Sequence, residues 1–186
     1  MKVKVSNLYF ISRDYPVFQP THTISILDPC IKDEYIPEFP KTKNLLRCFF
    51  YDIDKLQYQQ EPIIKSVEKI LNFLYEFIES STHDKSILIH CHAGVSRSTA
   101  TAYLLYCLVN ENPETAFENL LKITNKPWPN RNMIKLADDI LQRNGDLLIP
   151  LDNYTQANKN RYVAYQRLYS KRAIGQFNAP SKRVLV

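Results

Sequence analysis

The stretch "SILIHCHAGVSRS", residues 86–98, restricts the possible folds of this chain more than any other. "SILIH" is a short apolar run of the kind that fills a strand buried on both faces. From Arg97 the apolar residues return at helical spacing, through Ala100, Tyr103, Leu104, Cys107 and Leu108. A buried strand that passes through a tight turn directly into a helix belongs to an α/β architecture, with helices covering a sheet. The turn itself holds Cys91, Gly94, Arg97 and Ser98, with His90 and His92 on either side of the cysteine.

The rest of the chain repeats the alternation. "KVKVS" and "THTISILDP" read as strands, the second stopped by Asp28-Pro29. "LLRCFFY", residues 45–51, reads as a buried strand, and it runs into the acidic segment "DIDKLQYQQE". A helix is predicted from Pro62 to about Ser80, on Ile63, Val67, Ile70, Leu74, Phe77 and Ile78. "PETAFENLLKI" reads as a further helix, and "NRNMIKLADDILQRNG" as another, closed by Gly145. The fold class is therefore α/β, a small central sheet flanked by helices. The chain of 186 residues suits one domain, over residues 1–150, with residues 151–186 as an extension rather than a second domain.

Charge separates those two parts. Residues 1–150 are nearly neutral, whereas residues 151–186 hold seven Lys/Arg against Asp152 alone. The extension carries Tyr162, Tyr165, Leu168 and Tyr169 at near-helical spacing. It is expected to form a helix with a basic face, able to dock an acidic partner or surface. The four cysteines, Cys30, Cys48, Cys91 and Cys107, show no CxxC spacing, which argues against a zinc site. No apolar run is long enough for a membrane span, and no secretory leader is evident. A monomer in a cytoplasmic or other reducing compartment is the expectation, though a protein exported without a leader would look the same.

The turn has chemical content of its own. A loop between a strand end and a helix N-terminus points successive backbone N–H groups into one concavity, and those donors with the helix dipole bind a phosphate dianion. The donors are those of His92, Ala93, Gly94, Val95, Ser96 and Arg97. The same environment favours a thiolate, so Cys91 is expected to be an activated nucleophile. Arg97 offers a planar fork for two phosphate oxygens, which a lysine does not. Ser98 can donate to the sulfur, and His90 can orient the loop. The implied reaction is phosphoryl transfer through a cysteinyl-phosphate, with neither metal nor other cofactor.

"HCHAGVSRS" resembles the HCxxGxxR[S/T] signature of the protein tyrosine phosphatase superfamily. The chain's size and the central position of the signature resemble the compact dual-specificity group, and in particular bacterial tyrosine-phosphatase-like proteins carrying "HCHAG[IV]SRSTA". The resemblance runs from about Ser6 to Leu148. It implies the dual-specificity-like fold and a protein-tyrosine or dual-specificity phosphatase acting on phosphorylated protein. It implies that Asn130, in "PWPN", braces the phosphate loop, although a helix cap explains that residue equally well. It also implies an aspartic acid that protonates the leaving oxygen, on a loop after an upstream strand. Asp52 is the first choice and Asp54 the alternative. Asp138-Asp139 lies inside an amphipathic pattern and reads as a solvated face. Cys48 reads as a core residue, with a disulfide to Cys91 after oxidation as the competing reading; Cys30 and Cys107 read as structural. Relatives directed at inositol lipids usually carry lysines where this loop has His92 and Val95. Three further functions stay open: a phosphoinositide phosphatase, an RNA 5′-phosphatase, and a phospho-binding module with little turnover.

Overall fold

The apolar runs become four strands, β1 (Lys2–Asn7), β2 (His22–Leu27), β3 (Asn44–Phe49) and β4 (Ser86–Cys91). All pair in parallel, in the order β1-β4-β2-β3. The structure is a computed structural model that describes residues 1–53, 60–81, 83–110, 112–161 and 163. Parallel pairing demands long crossovers, and helices supply them: α1 (Ile11–Phe18) between β1 and β2, and α2 (Gln60–Glu79) between β3 and β4. After β4 come α3 (Arg97–Val109), α4 (Pro113–Ile123), α5 (Arg131–Ile140) and α6 (Ile149–Ala157).

β4 lies between β1 and β2, and all six of its residues are buried. Its alternation divides the core. Ile87, Ile89 and Cys91 join the large cluster with Ile24 and Ile26 of β2 and the apolar faces of α2, α3 and α5. Leu88 faces the other way, into a smaller cluster with Ile11, Tyr15 and Phe39. Full burial of one Leu or Phe side chain in such a core contributes about 1.5–3 kcal/mol. α3 is buried along most of its length, Tyr103 and Leu104 completely. Its start, and with it Ser96 at the end of the turn, is anchored in the interior, while residues 92–95 are half-buried.

Local signals end the helices. Asn112 caps α4, its side chain accepting from the Thr115 N–H at 3.0 Å, and Pro113 takes the first helical position. Asn130 caps α5 in the same way, accepting from the Met133 N–H at 2.9 Å.

Several sequence expectations change. α1 has no counterpart in the sequence reading, and α6 begins the extension expected to be helical but precedes the spacing of Tyr162, Tyr165, Leu168 and Tyr169 on which that expectation rests. α1 was hidden by Pro16, which stands inside it. α5 ends at Ile140, so Gly145 does not close it; Gly145, at φ 89°, precedes a 3₁₀ turn over Asp146–Leu148. Asp138 is not on a solvated face. It is buried and accepts from the Gly145 N–H at 2.6 Å and the Leu147 N–H at 3.0 Å, fixing the turn that follows α5. Cys30 is exposed, whereas Cys48 and Cys107 are buried, their thiols pushed up by burial to about 11 and about 12. α6 carries Leu151 and Tyr154 onto the main core, and residues 164–186, with most of the basic extension, lie outside the described residues. Among the described residues no helix is long and apolar enough to cross a membrane.

Candidate active site

The turn between β4 and α3 is held by its carbonyl oxygens. The His92 oxygen accepts from the Leu8 N–H at 3.1 Å, the Val95 oxygen from the Trp128 N–H at 2.9 Å, and the Ser96 oxygen from the Asn130 N–H at 3.3 Å. Thr99 Oγ1 also donates to the oxygens of Val95 and Ser96. A trans peptide sets its N–H opposite its C=O. Three carbonyls drawn outward therefore turn the N–H groups of Ala93, Ser96 and Arg97 inward. Gly94 makes the remaining bend at φ 69° and passes so close to β1 that a Cβ there would lie 2.8 Å from the Ser6 oxygen.

The sulfur sits on the floor of this ring. Cys91 Sγ receives the Gly94 N–H at 3.2 Å and lies 3.2 Å from Ser98 Oγ. Both contacts come from polar groups of the turn, although the residue as a whole is fully buried. Arg97, the first residue of α3, is 2% exposed. Its Nη1 donates to the Phe50 carbonyl oxygen and reaches Asp28 Oδ1 at 2.8 Å. Its Nε is 3.9 Å from Asp52 Oδ2.

Asp52 follows β3 and turns into the same cluster. Its Oδ1 accepts from Ser96 Oγ and from Asn130 Nδ2, each at 2.7 Å. Asn130 caps α5 through its Oδ1, reaches the loop through its backbone N–H on the Ser96 oxygen, and holds Asp52 through its Nδ2. Asn132 Nδ2 donates to the Ile53 oxygen at 2.7 Å and steadies the segment after Asp52. Asp54 lies outside the described residues.

The two histidines differ. His90 is fully buried on the face of β4 opposite Cys91, its ring 5.7 Å from that of Phe39. Burial, the largest cause, drives its pKa down to about 3, so the ring is neutral. His92 stands at the rim, its Nδ1 3.3 Å from Asp28 Oδ2.

Asp28 is the residue that sequence reading missed. It appeared only as the polar stop after a strand. The available signal was its place at the C-terminal end of a strand in a parallel sheet, where α/β folds bind ligands. β2 pairs directly with β4, and this adjacency delivers Asp28 to the cysteine loop.

Comparison with known proteins bears on the fold. Residues 51–134 match the protein-tyrosine phosphatase family. A probable dual specificity protein phosphatase of Dictyostelium discoideum is 30% identical over 120 residues, which cover 63% of this chain. The chain spans only about a quarter, 27%, of that relative's length. Among solved structures, the Cydia Pomonella PTP-2 phosphatase superposes with a TM-score of 0.54 at 21% identity, over 73% of this chain and 83% of that one. Human DUSP28 gives 0.54 at 14% identity, over 76% and 94%. PTPMT1 in complex with PI(5)P gives 0.52 at 16% identity, over 76% and 91%. Residues 51–134 are thus similar to the protein-tyrosine phosphatases, and the sheet with its flanking helices has the dual-specificity-like form.

Proposed function

We propose that this protein is a cysteine-dependent phosphatase that hydrolyses phosphate monoesters on proteins, phosphotyrosine foremost, with phosphoserine and phosphothreonine as further substrates. The observation that carries this reading is the sulfur of Cys91, 3.2 Å from both the Gly94 N–H donor and Ser98 Oγ, in a turn that runs into a helix opened by the buried Arg97. In the first step the thiolate attacks phosphorus, a sulfur–phosphorus bond forms, and the ester P–O bond breaks. The loop N–H groups and Arg97 hold the charge on the transferring oxygens. The leaving oxygen takes its proton from Asp52, or from Asp54 in the alternative assignment. In the second step water attacks phosphorus, returns a proton to that carboxylate, and releases inorganic phosphate and the thiolate. Ser98, beside the sulfur, assists its departure.

A phosphoinositide is the second reading, favoured by the fold shared with PTPMT1, which was captured with PI(5)P. The loop side chains favour protein: His92 and Val95 stand where lipid-directed relatives carry lysines. The basic extension is proposed to guide the protein to an acidic partner or surface.

The test is hydrolysis of p-nitrophenyl phosphate with chelator present, followed by a panel of phosphopeptides and phosphoinositides. The reading expects turnover that vanadate blocks and that Cys91→Ser abolishes while substrate is still bound. Residual turnover by Cys91→Ser refutes the covalent step, and higher catalytic efficiency on phosphoinositides transfers the assignment to lipid.

A further inference from the structure

Asp28 makes two contacts that the reaction above does not use. One oxygen reaches Arg97 Nη1 at 2.8 Å and the other lies 3.3 Å from His92 Nδ1. A single carboxylate thus joins the arginine that begins α3 to the residue just after the nucleophile. It is one-quarter exposed, 27%, so its charge is open to solvent as well as tied to the buried Arg97. The segments around it close on the same place. Tyr51, beside Asp52, has its hydroxyl pushed up first by a hydrogen bond to Cys30 and least by the charge of Asp28. Arg97 joins the two turns directly, holding Asp28 after β2 and the Phe50 carbonyl and Asp52 after β3.

Two consequences follow from elementary electrostatics. Nη1 is fixed by Asp28 and by the Phe50 carbonyl, so the guanidinium plane is set before any anion arrives. Fixing a catalytic group in advance lowers the barrier only when its orientation is the one used. The second consequence concerns charge. This carboxylate repels a single bound phosphoryl group too, but there the ring's donors and Arg97 offset it. It acts directly on a further phosphate projecting from that group past the rim.

The geometry points to Asp28 as a positioning residue that also filters substrates by charge: it sets Arg97 and His92, and it turns away phosphates that carry a second phosphate beside the one to be cleaved. This rests on reading the loop as a phosphoester-hydrolysing site. It narrows the substrate class to isolated monoesters, such as a phosphorylated protein side chain, rather than polyphosphorylated inositols or a 5′-triphosphate end.

The experiment compares the parent with Asp28→Ala and Asp28→Asn in p-nitrophenyl phosphate turnover. Orthophosphate and pyrophosphate serve as competitive inhibitors. Asp28→Ala should lower kcat by roughly 100-fold, the scale of a misplaced catalytic group. Asp28→Asn keeps an oxygen for Nη1 and should recover roughly tenfold of that loss. Both variants should bind pyrophosphate better relative to orthophosphate by roughly tenfold, the scale of one unit charge acting over a few ångström at a partly hydrated surface. A kcat for Asp28→Ala within about threefold of the parent, or an inhibitor ratio that Asp28→Asn does not move, overturns the inference. If the parent itself does not turn over p-nitrophenyl phosphate, the phosphatase reading fails instead, so the two failures are distinct.

Discussion

Gly94→Ala adds one methyl group where the loop crosses β1. That methyl would lie 2.8 Å from the Ser6 oxygen, 2.9 Å from Asn7 Cβ and 3.1 Å from the Ser6 carbonyl carbon. The nearest of these atoms is strand backbone, which cannot rotate away as a side-chain end can. The residue also sits at φ 69°, where a Cβ costs about 1–2 kcal/mol. Overpacking against a fixed neighbour adds about 1–3 kcal/mol. The total is about 2–5 kcal/mol if the loop stays in place. At about 2–4 °C per kcal/mol for a chain of this size, Tm should fall by about 4–20 °C. If the loop moves instead, the Leu8–His92 bond and the Gly94 donor to the sulfur are displaced, and kcat should fall by about 100-fold. Gly145→Ala is the internal control. It too has positive φ, 89°, but a Cβ there meets nothing within 4 Å, so only the conformational cost remains, with no effect on turnover. Thermal melts and steady-state kinetics on the two variants give the comparison. If Gly94→Ala matches Gly145→Ala in both assays, the close approach of loop and strand is wrong.

Two other changes probe the site and its support. Asp52→Asn should slow hydrolysis far more for alkyl phosphates than for p-nitrophenyl phosphate, because a good leaving group needs no proton; an equal loss on both would make Asp52 a brace and not the acid. His90 is neutral in the fold, with a pKa near 3 against an ordinary 6.5, so below about pH 6.5 the unfolded chain binds a proton that the folded chain refuses. Its contribution is therefore intact above that pH and lost as pH falls, by about 2 kcal/mol between pH 7 and pH 5. Urea unfolding at both pH values should show that loss in the parent and not in His90→Gln, and an identical pH dependence in the two proteins would refute the burial argument.

What could be read from the sequence was what is local. The strand at 86–90, the turn and the helix after it form one uninterrupted piece of chain, and the chemistry of that turn follows from its residue types. α2, α4 and α5 were visible because each keeps an apolar face over at least two turns. α1 was not, because its eight residues include Pro16, and its start depends on Asn7, whose side chain accepts from the Phe10 N–H at 2.8 Å. The strand order was beyond reach, since parallel pairing is decided between segments up to 84 positions apart, as in Lys2 with Ser86. Asp28 was missed for the same reason: its meaning comes from β2 lying next to β4. Asp138 was misread because a buried carboxylate that caps a turn has the same helical spacing as one facing water.

The outward carbonyls have a consequence for anyone who would transplant this turn. Its nine residues include the nucleophile, the arginine and the helix start. The shape that aims their amides is imposed by Leu8 near one end of the described fold and by Trp128 and Asn130 near the other. Grafted onto a foreign strand and helix, the peptide would keep every side chain and relax into an ordinary bend. The proposed chemistry is written in those nine letters but its shape is enforced by distant ones, so the motif is not portable.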